Sequence, residues 1–221
     1  MAMHHPEPRP SSEGQSDESL VLAVLRGDTE SFSMLMRRYN QKLYRIVRGI
    51  TGDNATAEDA MQQAYHSAYR YLAQLRGQAR FGPWLKRIAV REAFRTRRES
   101  ARHNALQQRA DHANVVSFPS PTEHRLAARE WARLVETAID QLPDAYRAVL
   151  VMRKVEHLST EETAELLGTS TENVRVRLYR ARKLLADRLY DRAGDAFDEV
   201  YEFGGARCDR TVVRVLQQLG L

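Results

Sequence analysis

Apolar residues recur at spacings of three and four along most of the chain, which is the period of an amphipathic α-helix. The longest stripe lies in 32–50 and is formed by Phe32, Leu35, Met36, Tyr39, Leu43, Ile46 and Ile50. No segment of strand length alternates between apolar and polar residues with a period of two. The pattern therefore predicts an all-α protein.

Capping residues mark the ends of the first two helices. Gly27 is placed to end a short helix over 20–26, and Asp28 is a ready N-cap for the helix that carries the long stripe. Gly52 closes that second helix. The first 50 residues thus predict two helices with a tight turn between them.

The next boundaries are set by a cap and a loop. Thr56 with Asp59 three residues later predicts a capping box, which opens a helix that reaches about Leu75. Residues 76–83 contain two glycines and a proline, a composition typical of a loop. Trp84 is then expected to begin the fourth helix.

The helical pattern stops in the middle of the chain and resumes at Leu126. The intervening residues include Pro119 and Pro121 and many short polar side chains, which indicates an extended, flexible linker between two small helical domains. The predicted organisation is a disordered tail over 1–17, an N-terminal domain over 18–102, the linker over 103–125, a C-terminal domain over 126–190 and an extension of unassigned role over 191–221.

Charge is concentrated in two segments. The chain has 34 Lys and Arg against 29 Asp and Glu, a net charge of +5. Residues 76–102 alone carry +7 and residues 170–188 carry +4, so the remainder is acidic. One basic segment in each predicted domain favours a polyanion such as nucleic acid. A solvated helix face is the alternative for either segment taken alone.

A helix-turn-helix pattern precedes and includes the second basic segment. Ser159 with Glu162 predicts a capping box, Gly168 is placed to end the first helix, and Ser170 caps the second after a short turn. The second helix of such a motif enters the major groove of DNA. The alternative is an ordinary pair of amphipathic helices that does not bind DNA.

The second helix has one apolar face and one polar face. Val174, Leu178, Ala181 and Leu185 share the face that packs inward. Val176 lies among polar residues on the opposite face, where it is suited to contact a thymine methyl group. The predicted DNA contacts of this segment are Ser170, Thr171, Glu172, Asn173, Arg175, Val176, Arg177, Arg180 and Lys183.

The first basic segment mixes cations with aromatic rings. Such a mixture suits single-stranded or distorted DNA, because bases stack on rings while cations follow the phosphates. For Trp84 and Phe94, a place in the core is the favoured alternative. The predicted contacts are Arg76, Arg80, Phe81, Trp84, Lys86, Arg87, Arg91, Arg95 and Arg98.

Signals of catalysis are weak. The histidines show no HExxH or cysteine-paired spacing, and phosphate-loop, nucleophile-elbow and dinucleotide motifs are missing from the sequence. We therefore expect neither an enzyme nor a cofactor nor a metal. The lack of an apolar signal region or an 18-residue apolar run predicts no membrane insertion. A single cysteine, Cys208, suits a cytoplasmic protein.

These motifs together resemble the extracytoplasmic-function (group 4) sigma factors of bacterial RNA polymerase. The N-terminal part of the resemblance lies in LRGDTESFSMLMRRYNQKLYRIV, AEDAMQQAYHSAYRYLAQLRG and RFGPWLKRIAVREAFRTRRE. The C-terminal part runs from IDQLPDAYRAVLVM to TSTENVRVRLYRARKLLADRL. The resemblance implies minus-ten recognition and melting by the N-terminal domain and minus-thirty-five recognition by the C-terminal domain.

The resemblance also implies partners. Core RNA polymerase is expected to bind through the clamp of its largest subunit and the flap of its second largest, with promoter DNA as ligand and an anti-sigma factor as regulator. Carried over by position, the polymerase-facing residues are Glu58, Asp59, Gln62, Gln63 and His66. Arg91 and Arg95 depart from residues common in the family at positions that help to read the minus-ten bases.

Two other classes of function stay open on the residues alone. A stand-alone helix-turn-helix regulator that binds duplex DNA as a dimer needs only the second basic segment and leaves the first unexplained. A nucleic-acid-processing enzyme needs a catalytic cluster that the motifs do not supply.

Overall fold

The structure, a computed structural model, describes residues 15–75, 80–107, 123–189, 201 and 203–220. Within these ranges all regular structure is helical, which confirms the all-α prediction. The α-helices are α1 (Asp17–Leu25), α2 (Thr29–Thr51), α3 (Asn54–Tyr71), α4 (Phe81–Gln107), α5 (Glu123–Asp140), α6 (Asp144–Leu150), α7 (Thr160–Leu167), α8 (Thr171–Leu189) and α9 (Gly205–Leu219). A 3₁₀ turn (Leu72–Gln74) follows α3, and a π-helical turn (Val151–Val155) continues α6.

Helix α2 is the centre of the N-terminal domain, which α1–α4 form. Its predicted stripe is buried except for Tyr39, which is half-buried. The Asp28 side chain accepts a hydrogen bond from the Glu30 backbone N–H at 3.1 Å, as the sequence predicted for the N-cap. Gly52 ends the helix with φ of +90°, a left-handed conformation that favours glycine.

Three predicted helix starts were wrong by three residues. Helix α1 begins at Asp17 because the Ser16 hydroxyl caps it, so the last residues of the predicted tail are ordered. Asp53, rather than Thr56, caps α3 and accepts a hydrogen bond from the Thr56 backbone N–H at 2.8 Å. Helix α4 begins at Phe81, before the expected Trp84. In α1 and α3 the first helical turn carries few apolar residues, so the periodic pattern starts late. In α4 the first turn contains Gly82 and Pro83, which a loop also favours, although proline is tolerated in the first turn of a helix.

Both ends of the predicted linker are helical. Helix α4 continues to Gln107 and α5 begins at Glu123. The remainder of that linker, residues 108–122, lies outside the described residues, as do residues 1–14 of the predicted tail.

The C-terminal domain, α5–α8, contains the predicted helix-turn-helix in α7 and α8. The capping box is confirmed: the Ser159 hydroxyl accepts from the Glu162 N–H at 3.0 Å, and the Glu162 carboxylate accepts from the Ser159 N–H at 2.7 Å. Gly168 ends α7 at φ of +60°. The Ser170 hydroxyl accepts from the Asn173 N–H at 3.2 Å at the start of α8, as predicted.

The two domains pack directly against each other through α2, α6 and the π-helical turn. Gly49 of α2 makes this possible, because a Cβ atom there would lie 2.9 Å from the Cβ of Val151. Arg147 of α6 is buried and donates hydrogen bonds to the carbonyl oxygens of Gly49, Asp140 and Leu142 at 3.0–3.2 Å. One apolar core therefore extends through both domains.

The last described element, α9, covers the N-terminal domain. Thr211, Val212 and Val215 are buried, and α9 contacts α2 and α3. Val213, on the same helix, is exposed. None of the described helices is long and apolar enough to cross a membrane.

Candidate nucleic-acid interface

The outward face of α8 is open to solvent. Val174, Ala181 and Leu185 are buried against the domain, as the spacing predicted. On the other face Val176 keeps 37% of its surface exposed, a large fraction for an apolar residue in the middle of a helix. A face of this kind can offer an apolar contact between charged and amide groups.

The polar residues of this face have few partners inside the protein. Arg175 lies 3.4 Å from Glu172, one turn away on the same helix. Arg180 donates to the Tyr146 hydroxyl at 3.3 Å. Ser170, Glu172, Asn173, Arg175, Arg180 and Lys183 are exposed, while Thr171 and Arg177 are half-buried. All nine predicted residues therefore lie in the turn before α8 or on α8 itself, and seven of them are exposed.

Sequence reasoning missed Tyr179, which is 70% exposed on α8. A large aromatic side chain that is exposed to this extent on a basic helix adds a stacking or phosphate-contacting group to the surface. The signal was present, because Tyr179 lies between Arg177 and Arg180 and off the apolar stripe.

Helix α4 presents its aromatic residues differently. Phe81 is 3% exposed and packs edge-on against Tyr39, with ring centroids 5.5 Å apart. Trp84 and Phe94 are half-buried and pack against the core, which agrees with the core alternative. In this arrangement the ring of Phe81 offers no free face to a base.

The arginines of α4 are largely engaged by carboxylates. Arg87 donates to Glu165 of α7 at 2.5 Å, which joins α4 to the C-terminal domain. Arg95 donates to Glu92 at 2.7 Å and to Glu99 at 3.3 Å, and its hydrogen bond to Glu92 raises the pKa of Arg95. Arg91 lies 3.7 Å from Glu92.

The other predicted residues of this segment are spread along the helix. Arg98 donates to the Phe94 carbonyl oxygen at 3.0 Å, Lys86 is half-buried, and Arg80 is exposed. Arg76 lies outside the described residues. Arg97, which the prediction omitted, forms an ion pair with Asp144 of α6.

The five predicted polymerase-facing residues share one side of α3. Asp59 and Gln63 are exposed, whereas Gln62, which was also expected to face a partner, is buried in the shallow depression that all three line between α3 and α4. Glu58 is half-buried and accepts from Arg207 of α9 at 2.8 Å. His66 is half-buried, and its Nε2 is buried without a hydrogen-bond partner within the described part of the chain.

Comparisons with known sequences match both domains. Residues 35–103 match Sigma-70 region 2, and residues 132–185 match Sigma-70, region 4. A match to both regions exceeds what a stand-alone helix-turn-helix regulator requires.

The RNA polymerase sigma-H factor of Pseudomonas aeruginosa is 33% identical over 180 residues, which cover 77% of this chain and 92% of that protein. The ECF RNA polymerase sigma-E factor of Escherichia coli is 29% identical over 185 residues, which cover 80% of this chain and 96% of that protein.

Solved structures agree in fold. The sigma factor RpoE from Bartonella quintana, crystallised with the anti-sigma factor NepR, has a TM-score of 0.55 at 17% identity, with 77% of this chain and 99% of that chain covered. CnrH, in complex with the cytosolic domain of CnrY, has a TM-score of 0.52 at 22% identity, with 78% and 96% covered. Both conserved regions, their order and their shared fold therefore identify the chain as a member of the extracytoplasmic-function sigma factors of the sigma-70 family, which bind core RNA polymerase and direct transcription initiation at promoters.

Proposed function

We propose that α8 reads the upstream promoter element, that α4 contacts the downstream element and assists melting, and that α3 meets the polymerase clamp. The observation that carries the assignment of α8 is its outward face, on which Val176 lies exposed between Asn173 and Arg180. A solvated helix face gains nothing from an exposed valine there, whereas a thymine methyl group packs on it.

The assignment of α4 rests on its high density of arginine. The ion pairs of Arg87 with Glu165 and of Arg95 with Glu99 are exposed, and exposed ion pairs contribute little to stability. Arg95 also donates to Glu92, which is buried, so Arg87 is the more easily released of the two arginines. Phosphates compete well for such arginines because each contact releases condensed counterions from the DNA. Stacking by Phe81 requires that its ring leave the contact with Tyr39.

The assignment of α3 rests on polar side chains that the domain itself uses little. Asp59 and Gln63 are exposed side by side on one helix face. His66 is half-buried on the same side of the helix. The flap of the second largest subunit binds the C-terminal domain.

Regulation by an anti-sigma factor forms part of the proposal. Of two solved structures with the same fold, one is a co-crystal of a sigma factor with the anti-sigma factor NepR, and the other contains CnrH in complex with the cytosolic domain of CnrY. The chain itself acts by binding, without catalytic chemistry, and works in the cytoplasm with the polymerase.

The test is run-off transcription and promoter binding by core polymerase reconstituted with the full chain at increasing salt. Lys183→Ala should lower the slope of log affinity against log salt by about 0.9, the value for one phosphate contact, and leave base preference unchanged. Arg26→Ala, a change of the same charge outside both basic segments, should leave the slope as it is. Equal slopes for the unaltered chain, Lys183→Ala and Arg26→Ala would contradict the assignment of α8 to the DNA interface.

A further inference from the structure

The C-terminal segment, residues 201 and 203–220, contacts both domains at once. The Tyr201 N–H donates to Glu136 at 2.7 Å and its hydroxyl donates to Asp140 at 2.6 Å, and both carboxylates belong to α5. The guanidinium of Arg48, from α2, lies over the Tyr201 ring at 4.7 Å and also donates to Asp140 at 2.6 Å. Tyr201 is therefore held between the two domains.

Phe203 and Arg207 continue the same contact over the N-terminal domain. The Phe203 ring is buried and stacks on Tyr44 of α2 with a centroid distance of 4.3 Å. The Phe203 N–H donates to the Gln41 side chain at 2.6 Å. Arg207 then lies over both rings, at 4.7 Å from Tyr44 and 5.2 Å from Phe203.

Arg207 reaches the surface proposed for polymerase. Its guanidinium donates to Glu58 through Nε at 3.1 Å and through Nη2 at 2.8 Å. Two further anchors hold α9 on α2, where Asp209 pairs with Arg37 and Asn40 donates to the Cys208 sulfur. The carboxylate of Glu58, one of the predicted polymerase-facing residues on α3, is thus already paired with Arg207 of the same chain.

Two features of the C-terminal segment indicate that its contacts can be displaced. Tyr201 has φ of +57°, a left-handed conformation that a tyrosine rarely adopts and that persists only while surrounding contacts hold it. The ion pair of Arg207 with Glu58 is about one-third exposed on both sides. A stronger competing contact on either side can therefore displace it.

The closed arrangement also restricts DNA binding. While α5 is tied to α2 through Tyr201, Glu165 of α7 stays against Arg87 and Asp144 of α6 stays against Arg97. The two DNA-facing helices are then held in one compact body. Two separate promoter elements can be read together only when the two domains are free to move apart.

We propose that the C-terminal segment is an internal inhibitor, which competes with core polymerase for the α3 surface around Glu58 and holds the two domains closed. The polymerase surface that replaces Arg207 there supplies a basic group for the Glu58 carboxylate. This inference rests on the proposed role of α3. It assigns a role to the extension that the sequence left without one.

The expected consequence follows from a shift between two states. A chain that is mostly closed binds polymerase with an apparent Kd raised by the inverse of its open fraction. Weakening the segment raises the open fraction and lowers that Kd. A purely structural role for α9 gives the opposite result, since damage to it would lower stability and leave polymerase binding unchanged or weaker.

The test uses the full chain with Arg207→Glu, which places a like charge against Glu58 and leaves the α3 residues intact. Its Kd for core polymerase should fall about tenfold, and initiation at limiting polymerase should rise. Arg210→Glu is the matched control: it makes the same charge change on an exposed residue of the same helix, and its Kd should equal that of the unaltered chain.

A milder variant guards against misfolding. Tyr201→Phe removes only the hydroxyl that donates to Asp140 and should lower the Kd about threefold, with an unchanged circular dichroism spectrum. If Arg207→Glu fails to fold, Tyr201→Phe decides alone. An unchanged or higher Kd in the folded variants overturns the inhibitor. Failure of the unaltered chain and of every variant to bind polymerase overturns the proposed function instead.

Discussion

The two basic segments look alike in sequence but differ in the folded protein. In α8 the cations face solvent, and the ion pair between Arg175 and Glu172 lies within the helix itself. In α4 the cations meet carboxylates, and two of those carboxylates, Glu165 and Asp144, come from the other domain. The cations of α8 are therefore largely accessible, whereas several cations of α4 are occupied by contacts within the protein.

This difference shows that the density of basic residues in a sequence does not by itself tell whether those residues are accessible in the folded protein. Accessibility depends on which acidic residues lie near. Glu92 and Glu99 are neighbours on α4 itself, whereas Asp144 and Glu165 are 47 and 78 positions away in the chain from the arginines that they contact. The acidic remainder of the chain therefore has a structural use, because part of it neutralises the first basic segment.

The largest effect is expected from breaking the contact between the domains. Arg147→Met should lower the free energy of unfolding by about 3–5 kcal/mol, since Arg147 is buried and its loss leaves three carbonyl oxygens without this donor and removes one of the two arginines that pair with Asp144. Chemical denaturation followed by circular dichroism measures the change. Arg133→Met, on the exposed face of α5, is the control and should change stability by less than about 0.5 kcal/mol.

A loss as small as that of the control would mean that Arg147 does not hold the domains together. If Arg147→Met does open the interface, Arg97 also loses Asp144 as a stable partner, because Asp144 is shared between the two arginines. Fewer arginines of the first basic segment would then be paired with carboxylates of the other domain, as is the case for the second basic segment.

Much of the fold was predictable from local signals. The capping box at Ser159, the glycine at 168 and the apolar face of α8 are set by neighbouring residues, and the structure confirms them. The start of α3 was wrong because Asp53 and Thr56 are both good caps, and a cap is chosen by where the chain enters the helix.

The contact between domains was not predictable in the same way. Arg147 sits in an apolar run and looks like an interruption of it, until α2 brings the Gly49 carbonyl within 3.0 Å. The contacts of Tyr201 likewise join positions more than 60 residues apart. Such pairings depend on tertiary packing, which the period of a single helix does not encode.

The second prediction concerns what the open surface reads. Asn173→Ala and Val176→Ser should each relax base preference at one or two base pairs of the upstream element, by about 1–3 kcal/mol, and leave the downstream element unchanged. Transcription from a promoter library randomised across the upstream element measures the preference. Arg177 contacts the DNA backbone in this proposal, so Arg177→Ala should weaken binding to all promoter sequences equally. An unaltered base profile for both reading variants would mean that α8 presents another face to DNA.

The third prediction tests a carboxylate buried between the domains. Burial raises the pKa of Glu156 to about 6, although Arg45 at 3.5 Å and the nearby cations Lys42 and Lys86 lower it. The folded protein therefore holds this proton more tightly than the unfolded chain, and the stability that Glu156 contributes is present at low pH and lost as the pH rises through 6. Ionisation above that pH costs up to about 2 kcal/mol.

Glu156→Gln removes this dependence. The unfolding free energy of the variant minus that of the unaltered chain should rise by up to about 2 kcal/mol between pH 4.5 and 7.5. Glu161→Gln is the control of opposite sign, since hydrogen bonds at the start of α7 lower the pKa of Glu161. Glu161→Gln should therefore lower the free energy of unfolding more at pH 7.5 than at low pH. A difference for Glu156→Gln that does not change with pH would show that this carboxylate is hydrated.

The smallest effect is expected at the exposed ion pair that joins α4 to α7. Arg87 and Glu165 both keep more than half of their side-chain surface exposed, at 56% and 60%. A double-mutant cycle with Arg87→Ala and Glu165→Ala should therefore give a coupling below about 1 kcal/mol, which shrinks further in 1 M salt because screening weakens exposed pairs. The i,i+4 pair of Arg95 with Glu99, within one helix, serves as the reference and should give a similar value. A weak coupling would mean that DNA phosphates can replace Glu165 as the partner of Arg87 at little cost in free energy. The two basic segments would then differ in whether carboxylates already pair with their arginines, and not in their ability to bind phosphates. A coupling above about 2 kcal/mol that persists in salt would instead make this pair a true lock between the domains, and Arg87 could not then serve DNA without a prior opening of the protein.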